Sequence, residues 1–282
     1  IKLLAKQKWN DELSKITIEA EDERKVNFYT SMYHSFMNPI IYNDVNGEYR
    51  GLDQNIYKAE GFTNYTIFSL WDTYRALHPL YTIIQQQRTN DIVNSMLAHY
   101  EQSVHKILPI WSHYSNENWC MIGYHAVPVI VDAYMKGIRN YDVKKAFDAV
   151  LSSSNYDLYD GIGYYKKYGY VPEDLNSNSA SKTLEYAYDD WTIYKFAKSL
   201  DENKIADEYY HRAQSYKNLF DERTKFIRAK NSDGKFNEPF DALSTANQGY
   251  IEGNAWNYSL YIPHDVKGFI NLLGSKEKLI NW

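Results

Sequence analysis

The sequence has one cysteine, Cys120, so no internal disulfide can form. It has no apolar run near the ~18 residues a membrane-spanning helix needs, so no transmembrane segment is expected. An excess of basic charge is also missing. The 31 Lys and Arg are outnumbered by 36 Asp and Glu, leaving a net charge of -5 and a pI near 5.9. Without a basic stripe to neutralise phosphates, nucleic acid is not expected as a partner. The eight His are scattered, with neither His-Glu-x-x-His nor Cys-x-x-Cys spacing, which argues against zinc. There is no Gly-x-Ser-x-Gly elbow, no Walker loop and no repeat of fixed period. No leader-like stretch opens the chain.

What the chain has in quantity is aromatic residues, which make up 16% of its 282 positions, with 28 Tyr and 7 Trp. Such rings can pack a core or line a carbohydrate cleft, because each pairs a flat apolar face with a polar edge. Helical periodicity dominates the rest. Apolar residues recur at helical spacing from Trp9 to Phe36, and Pro39 ends that run. Further helices are predicted over about 70–86, 90–106, 120–138, 142–153, 182–199, 202–221 and 265–282. Asp142 and Asp201 are placed to cap two of them. Asn43 to Tyr49 reads as a small hairpin with Asn46-Gly47 at its tip, and its acids lack the spacing of a calcium loop. Phe226 to Phe236 reads as a second hairpin. The Gly- and Tyr-rich stretch from Asp157 to Asn178 is too long for a simple linker and is predicted to be a functional loop or a small strand pair. Paired helices with long excursions between them fit an all-α toroid of helical hairpins better than a bundle with short connections. About nine helices are counted where six hairpins need twelve, so the toroid is expected to be incomplete in this chain.

The chemistry is expected in Gln248-Gly-Tyr-Ile-Glu-Gly-Asn-Ala-Trp-Asn-Tyr-Ser-Leu-Tyr-Ile-Pro-His-Asp265. Glu252 is its one glutamate, set among aromatic rings and beside Gly253. A carboxyl held against such rings should titrate high, as a general acid requires. An aromatic-rich turn with one satisfied acid explains the same letters. In Phe68-Ser-Leu-Trp-Asp-Thr-Tyr-Arg75, Asp72 and Arg75 stand three apart and can pair. Glu117, in the stretch from Trp111 to His125, is placed at a helix start, where capping is the plainer role. In Thr183-Leu-Glu-Tyr-Ala-Tyr-Asp-Asp-Trp191, Glu185 and Asp189 share one helix face with Asp190 beside them. Three unpaired acids so close would repel unless a cation or a polyhydroxylated ligand lay near. Tyr49-Arg-Gly-Leu-Asp53 is a weak signal by itself.

Together these stretches resemble glycoside hydrolase family 92, the calcium-dependent exo-acting α-mannosidases. The resemblance is carried by Phe68 to Arg75 with His78-Pro79-Leu80, Cys120-Met-Ile-Gly123 with His125, Ser181 to Trp191, and Glu252-Gly-Asn-Ala-Trp256 with Pro263-His-Asp265. They occur in the family's order over nearly the whole chain. The resemblance implies an (α/α)6 catalytic domain that removes terminal α-mannose with inversion, α-1,2 links first among its substrates. It implies Glu252 as general acid, and a sugar pocket built with Trp71, Asp72, Arg75, Glu117, Asp189, Asp190, Asn254 and Trp256. It also implies calcium, mannose-containing oligosaccharides as partners, and a periplasmic, cell-surface or secreted location. An inverting enzyme needs a second carboxylate, ~6.5–9.5 Å from the first. The family's acidic Gly-Asp-Glu-Asp-Asn-Gly-like segment, its later Asn-Glu-Pro segment and its N-terminal β-sandwich have no counterpart here. Asn237-Glu-Pro239 lies upstream of the Glu252 motif and does not inherit that role. The chain is therefore expected to hold about two-thirds of a catalytic domain, with the base and the calcium ligands beyond Trp282, and to be nearly inactive by itself. Two other readings stay open: a sugar-binding or scaffold protein without turnover, and an (α/α)6 glycosidase of other specificity.

Overall fold

The computed structural model describes residues 1–282. Two helices open the chain, α1 (Lys2–Leu13) and α2 (Asp22–Ser35). Nothing in α1 is buried, and α2 buries Met32. Short strands follow: β1 (Ile40–Ile41), β2 (Glu48–Arg50), β3 (Ile56–Lys58), β4 (Tyr65–Thr66) and β5 (Phe68–Ser69). β1 pairs antiparallel with β4, and β2 with β3, with Tyr49 opposite Tyr57. Asn43–Tyr49 is thus a turn, as Gly47 at φ +88° indicates, but the hairpin itself lies one step later.

The expected helix over 70–86 is divided into α3 (Leu70–Thr73) and α4 (Leu77–Ile84), followed directly by α5 (Gln86–Gln102). β6 (Trp111–His113) and β7 (Asn116–Glu117) then join β5 in a three-stranded sheet. Glu117 is therefore in a strand and caps no helix. The next helix, α6 (Ala126–Met135), starts well after it. Left-handed backbone at Trp119, Met121 and Gly123 (φ +60°, +65° and +86°) holds the intervening residues out of helical geometry.

Asp142 caps α7 (Val143–Ser154) as predicted, accepting the Lys145 N–H at 2.9 Å. The 157–178 stretch contains no strand pair. It holds α8 (Ile162–Tyr168), bounded at both ends by left-handed glycines, Gly161 and Gly169. The longest helix is α9 (Ser179–Ser199), and α10 (Asn203–Arg212) returns against it after three residues. Asp201 does not cap α10: it is left-handed, at φ +60°, and Glu202 occupies the cap position without a side-chain bond. A 3₁₀ turn (Ser215–Leu219), α11 (Ala255–Tyr258), α12 (Val266–Leu273) and α13 (Lys276–Asn281) complete the chain. Gly274, at φ +106°, separates the last two, where one continuous helix was expected. The Phe226–Phe236 stretch folds back through single bridges, Phe220 to Ile227 and Lys230 to Phe236.

α9 is the axis of this arrangement. It packs on α6, α7, α10 and the 3₁₀ turn. Tyr186, Ile193, Phe196 and Ala197 enter the larger apolar core, while Ala180 and Leu184 enter a second core with Tyr216, Leu219 and Phe269. A helix enclosed on all sides normally reads as apolar. α9 instead buries Lys182, Glu185, Asp189 and Asp190. Those four charges need partners, and the partners define the candidate site. No helix is long and apolar enough to cross a membrane.

Candidate active site

The buried charges on α9 reach segments distant from them in the sequence. His125, at the start of α6, lies between two carboxylates: its Nδ1 is 2.8 Å from Asp189 Oδ1 and its Nε2 is 3.1 Å from Glu185 Oε2. The second contact is close enough for an ion pair but off the line of a hydrogen bond. Asp190 accepts from Tyr124 at 2.7 Å and from Tyr165 and Arg212 Nε at 3.0 Å each. Lys182 pairs with Asp160 at 2.6 Å. The three acids therefore do not stand unpaired. Repulsion is relieved by an imidazole and a guanidinium that sequence spacing could not place.

Burial alone would push the His125 ring below its ordinary value of 6.5, but Asp189 and Glu185 outweigh it and hold the ring up at about 9. Burial drives Asp189 upward as well, to about 6. The ring is an imidazolium at neutral pH. Its folded value lies above the ordinary one, so its stabilisation is whole below about pH 6.5 and is lost as pH rises to about 9. In urea unfolding, the stability gap between wild type and His125→Gln should shrink across that window. A gap constant from about pH 6 to about 9.5 would mean that the ring is neutral.

This charged pair supports an aromatic wall. Glu185 accepts from Trp71 Nε1 and from the Tyr74 hydroxyl, each at 3.2 Å. Tyr74 stacks on His125 with ring centres 4.0 Å apart, and its hydroxyl meets that of Tyr261. Arg75 does not pair with Asp72. Its guanidinium donates to the Trp71 carbonyl at 2.8 Å and lies over the Trp71 and Tyr74 rings. Asp72 instead accepts from Ser69, and its carboxylate is exposed.

The Glu252 loop is docked onto the start of α9. The Ala180 and Ser181 N–H groups, unpaired within the helix, both donate to the Gly249 carbonyl at 3.0 and 3.2 Å, and the Ile251 N–H donates to Ser181 Oγ at 3.0 Å. Gly249 is required there: its φ is +83°, and a Cβ would come within 2.4 Å of Ala229 Cβ. Glu252 follows at φ +48°, a conformation that L residues seldom adopt. Its side chain is exposed, not enclosed by rings as expected. Tyr258 is spent in a stack on Tyr250, and Trp256 packs against Phe226 and Trp282. Asn254 caps α11, its Oδ1 accepting the Asn257 N–H at 3.2 Å.

Beside this loop opens a cleft of about 570 Å³, lined by Trp119 and Met121, by Tyr159 and Asp160, by Asn176 and Asn178, and by Lys182 and Ile251 among others. Twelve non-glycine residues of the chain have positive φ, and four of them, Trp119, Met121, Asp160 and Asn178, line this cleft, with Glu252 a fifth next to Ile251. Strained backbone of this kind gathers where a ligand must be met. Glu117 stands behind the wall, nearly buried. Its carboxylate accepts the N–H groups of Ile110, Trp111 and Trp119 at 2.8–3.1 Å. It shapes the cleft by fixing Trp119 and does not line it. Asp190 is wholly enclosed on the far side of α9's network.

A family model, "Glycosyl hydrolase family 92 catalytic domain", matches residues 1–282. The chain belongs to glycoside hydrolase family 92. Among solved structures it is similar to a family 92 α-mannosidase from Bacteroides thetaiotaomicron, with 48% identity and a TM-score of 0.93 over 97% of this chain and 36% of that one. It is also similar to a family 92 inverting mannosidase from Bacteroides thetaiotaomicron VPI-5482, with 33% identity and a TM-score of 0.91 over 98% of this chain and 38% of that one. A secreted glycosidase of Arthroderma benhamiae, itself uncharacterized, is 28% identical over 196 residues, 56% of this chain and 25% of that protein. The chain thus spans a little over a third of the solved relatives. The helical hairpins are those of the (α/α)6 toroid of family 92.

No group of three or more His, Cys, Asp or Glu side chains in this chain is arranged to hold a metal ion. Glu185 and Asp189 are taken up by His125 and Asp190 by Arg212, so these acids form no carboxylate cage for calcium, and no chemical step is assigned to that ion.

Proposed function

We propose that the protein hydrolyses terminal α-mannosides of oligosaccharides with inversion, and that Glu252 is the general acid. The observation that carries this is the seating of the Glu252 loop on the start of α9, beside the Trp71–Glu185–His125 wall and the Trp119 cleft. An exposed carboxyl in strained backbone at the edge of an aromatic cleft can protonate a glycosidic oxygen as the bond breaks. Trp71, Asp72 and Arg75 stand where they can shape a sugar pocket. Asp189 acts on it through His125, and Glu117 through Trp119. Asn254 and Trp256 hold the acid's own turn.

Solved relatives support the substrate class. Two are called mannosidases, one of them inverting, and the Bacteroides thetaiotaomicron α-mannosidase has also been solved with mannoimidazole. Export to the periplasm, cell surface or medium belongs to the same reading, supported by the secreted fungal relative.

The test is mannose release from α-1,2-mannobiose by the full-length protein, with calcium, with a chelator, and with calcium restored. Release that stops on chelation and returns with calcium is the expected result. No release with calcium present would overturn the hydrolase reading and favour a sugar-binding protein without turnover.

A further inference from the structure

The cleft beside the acid loop is floored by an unusual group. Lys182 rises from the first turn of α9 and is 5% exposed. Its ammonium has three N–H bonds. One serves Asp160 Oδ1 at 2.6 Å and one Asn176 Oδ1, which leaves a third with no protein acceptor. Asp160 Oδ2 and the Asn176 amide N–H₂ are likewise free of protein partners, as is the Asn178 side chain. Acceptors and donors without partners therefore converge on one concave surface. Half-exposed Trp119 stands at its rim.

That combination selects the ligand's chemistry. A free anion would meet Asp160, and a free cation would meet Lys182. A neutral polyol meets neither objection, because each hydroxyl both donates and accepts. Adjacent hydroxyls can bridge the carboxylate, the amide and the ammonium, while an apolar ring face covers the indole. The backbone agrees. Gly161, at φ +87°, lets the loop approach so closely that a Cβ would lie 3.0 Å from Val171 Cγ1 and 3.3 Å from Asn176 Cγ. The Tyr186 hydroxyl holds the Asp160 carbonyl at 2.8 Å, so the carboxylate is aimed before any ligand arrives.

We propose that this cleft binds a sugar ring, with Lys182, Asp160 and Asn176 reading a pair of neighbouring hydroxyls and Trp119 supplying the stacking face. The choice of a mannoside as its occupant rests on the mannosidase reading; the polyol site itself does not.

Calorimetric titration of the full-length protein with methyl α-mannoside, methyl α-glucoside and methyl α-galactoside tests this, with melting temperature recorded for every variant. Trp119→Ala and Asp160→Asn should each weaken binding of the preferred glycoside about 10-fold or more. Trp119→Ala also removes the ring's contacts with His105 and Tyr159, so a modest fall in melting temperature is expected and binding is compared well below it. In turnover of α-1,2-mannobiose, Asp160→Asn should raise KM more than it lowers kcat. If both variants bind within about twofold of wild type, the Lys182–Asp160 pair is only a clamp on the 157–178 loop and the proposal fails. Should the wild type take a glucoside or galactoside but no mannoside, with the same loss in Trp119→Ala, the cleft assignment stands and the mannosidase reading falls. Binding of none of the three glycosides overturns the proposal.

Discussion

Glu252→Gln is expected to lower mannose release from α-1,2-mannobiose by about 10²–10⁴-fold while leaving the melting temperature unchanged. The amide keeps the shape of the carboxyl, so the left-handed turn at Glu252 and the docking of Ile251 on Ser181 are undisturbed. Only the proton is lost. An aryl mannoside with a good leaving group needs little protonation, so on that substrate the loss should be far smaller. Equal loss on both substrates would assign Glu252 to binding or to water activation and not to acid catalysis. Retained activity on mannobiose would remove it from the chemistry altogether. The exposed side chain makes this a clean substitution, because no buried partner is left behind.

The second large effect concerns stability. Asp190→Ala should destabilise the protein by about 3–5 kcal/mol in denaturant unfolding, because it strands a nearly buried guanidinium and leaves the Tyr165 and Tyr124 hydroxyls only the carbonyls of Arg212, at 2.9 Å, and Tyr186, at 3.4 Å. Arg212 would keep only the Ser154 carbonyl and Asn155 as acceptors, at 3.0 and 3.3 Å. Pairing the change with Arg212→Met should recover a good part of the loss, since an apolar pair needs no desolvated charge. A single-variant cost below about 1 kcal/mol would mean that water reaches the cluster and solvates the arginine. The two predictions separate cleanly. Glu252 is expected to govern turnover without stability, and Asp190 the reverse.

Helix existence and the pairing of helices could be read from the sequence because they depend on local periodicity, and Asp142 capped where its chemistry said it would. Boundaries were less legible. Residues 70–86 are periodic throughout, yet Ala76 sits outside helical geometry and breaks the run. Nothing in the letters marks that break. The site divides the same way. Glu185 and Asp189 at i and i+4 announced a shared face, but the imidazole between them comes from a residue more than fifty positions earlier. The spacing puts Glu117 at a helix start, yet α6 begins only at Ala126, and three strand and turn N–H groups hold the carboxylate instead. Of the Trp119 cleft only the wall from the 157–178 stretch was legible, as a functional loop; the other walls come from segments far apart in the sequence. Positive φ at Trp119 and Met121 could not be anticipated from residue type. At Asp160 and Asn178 it could have been, since short polar residues tolerate that region.

The Gly249 carbonyl has two duties at once, as acceptor for the opening turn of α9 and as the hinge from which the Glu252 loop hangs. Melting of that first turn and displacement of the acid are consequently one event. On the general-acid reading, a thermal insult too small to register in the total helical signal would already shift Glu252 relative to the cleft. On that reading, activity is expected to fall at a lower temperature than the bulk helical signal.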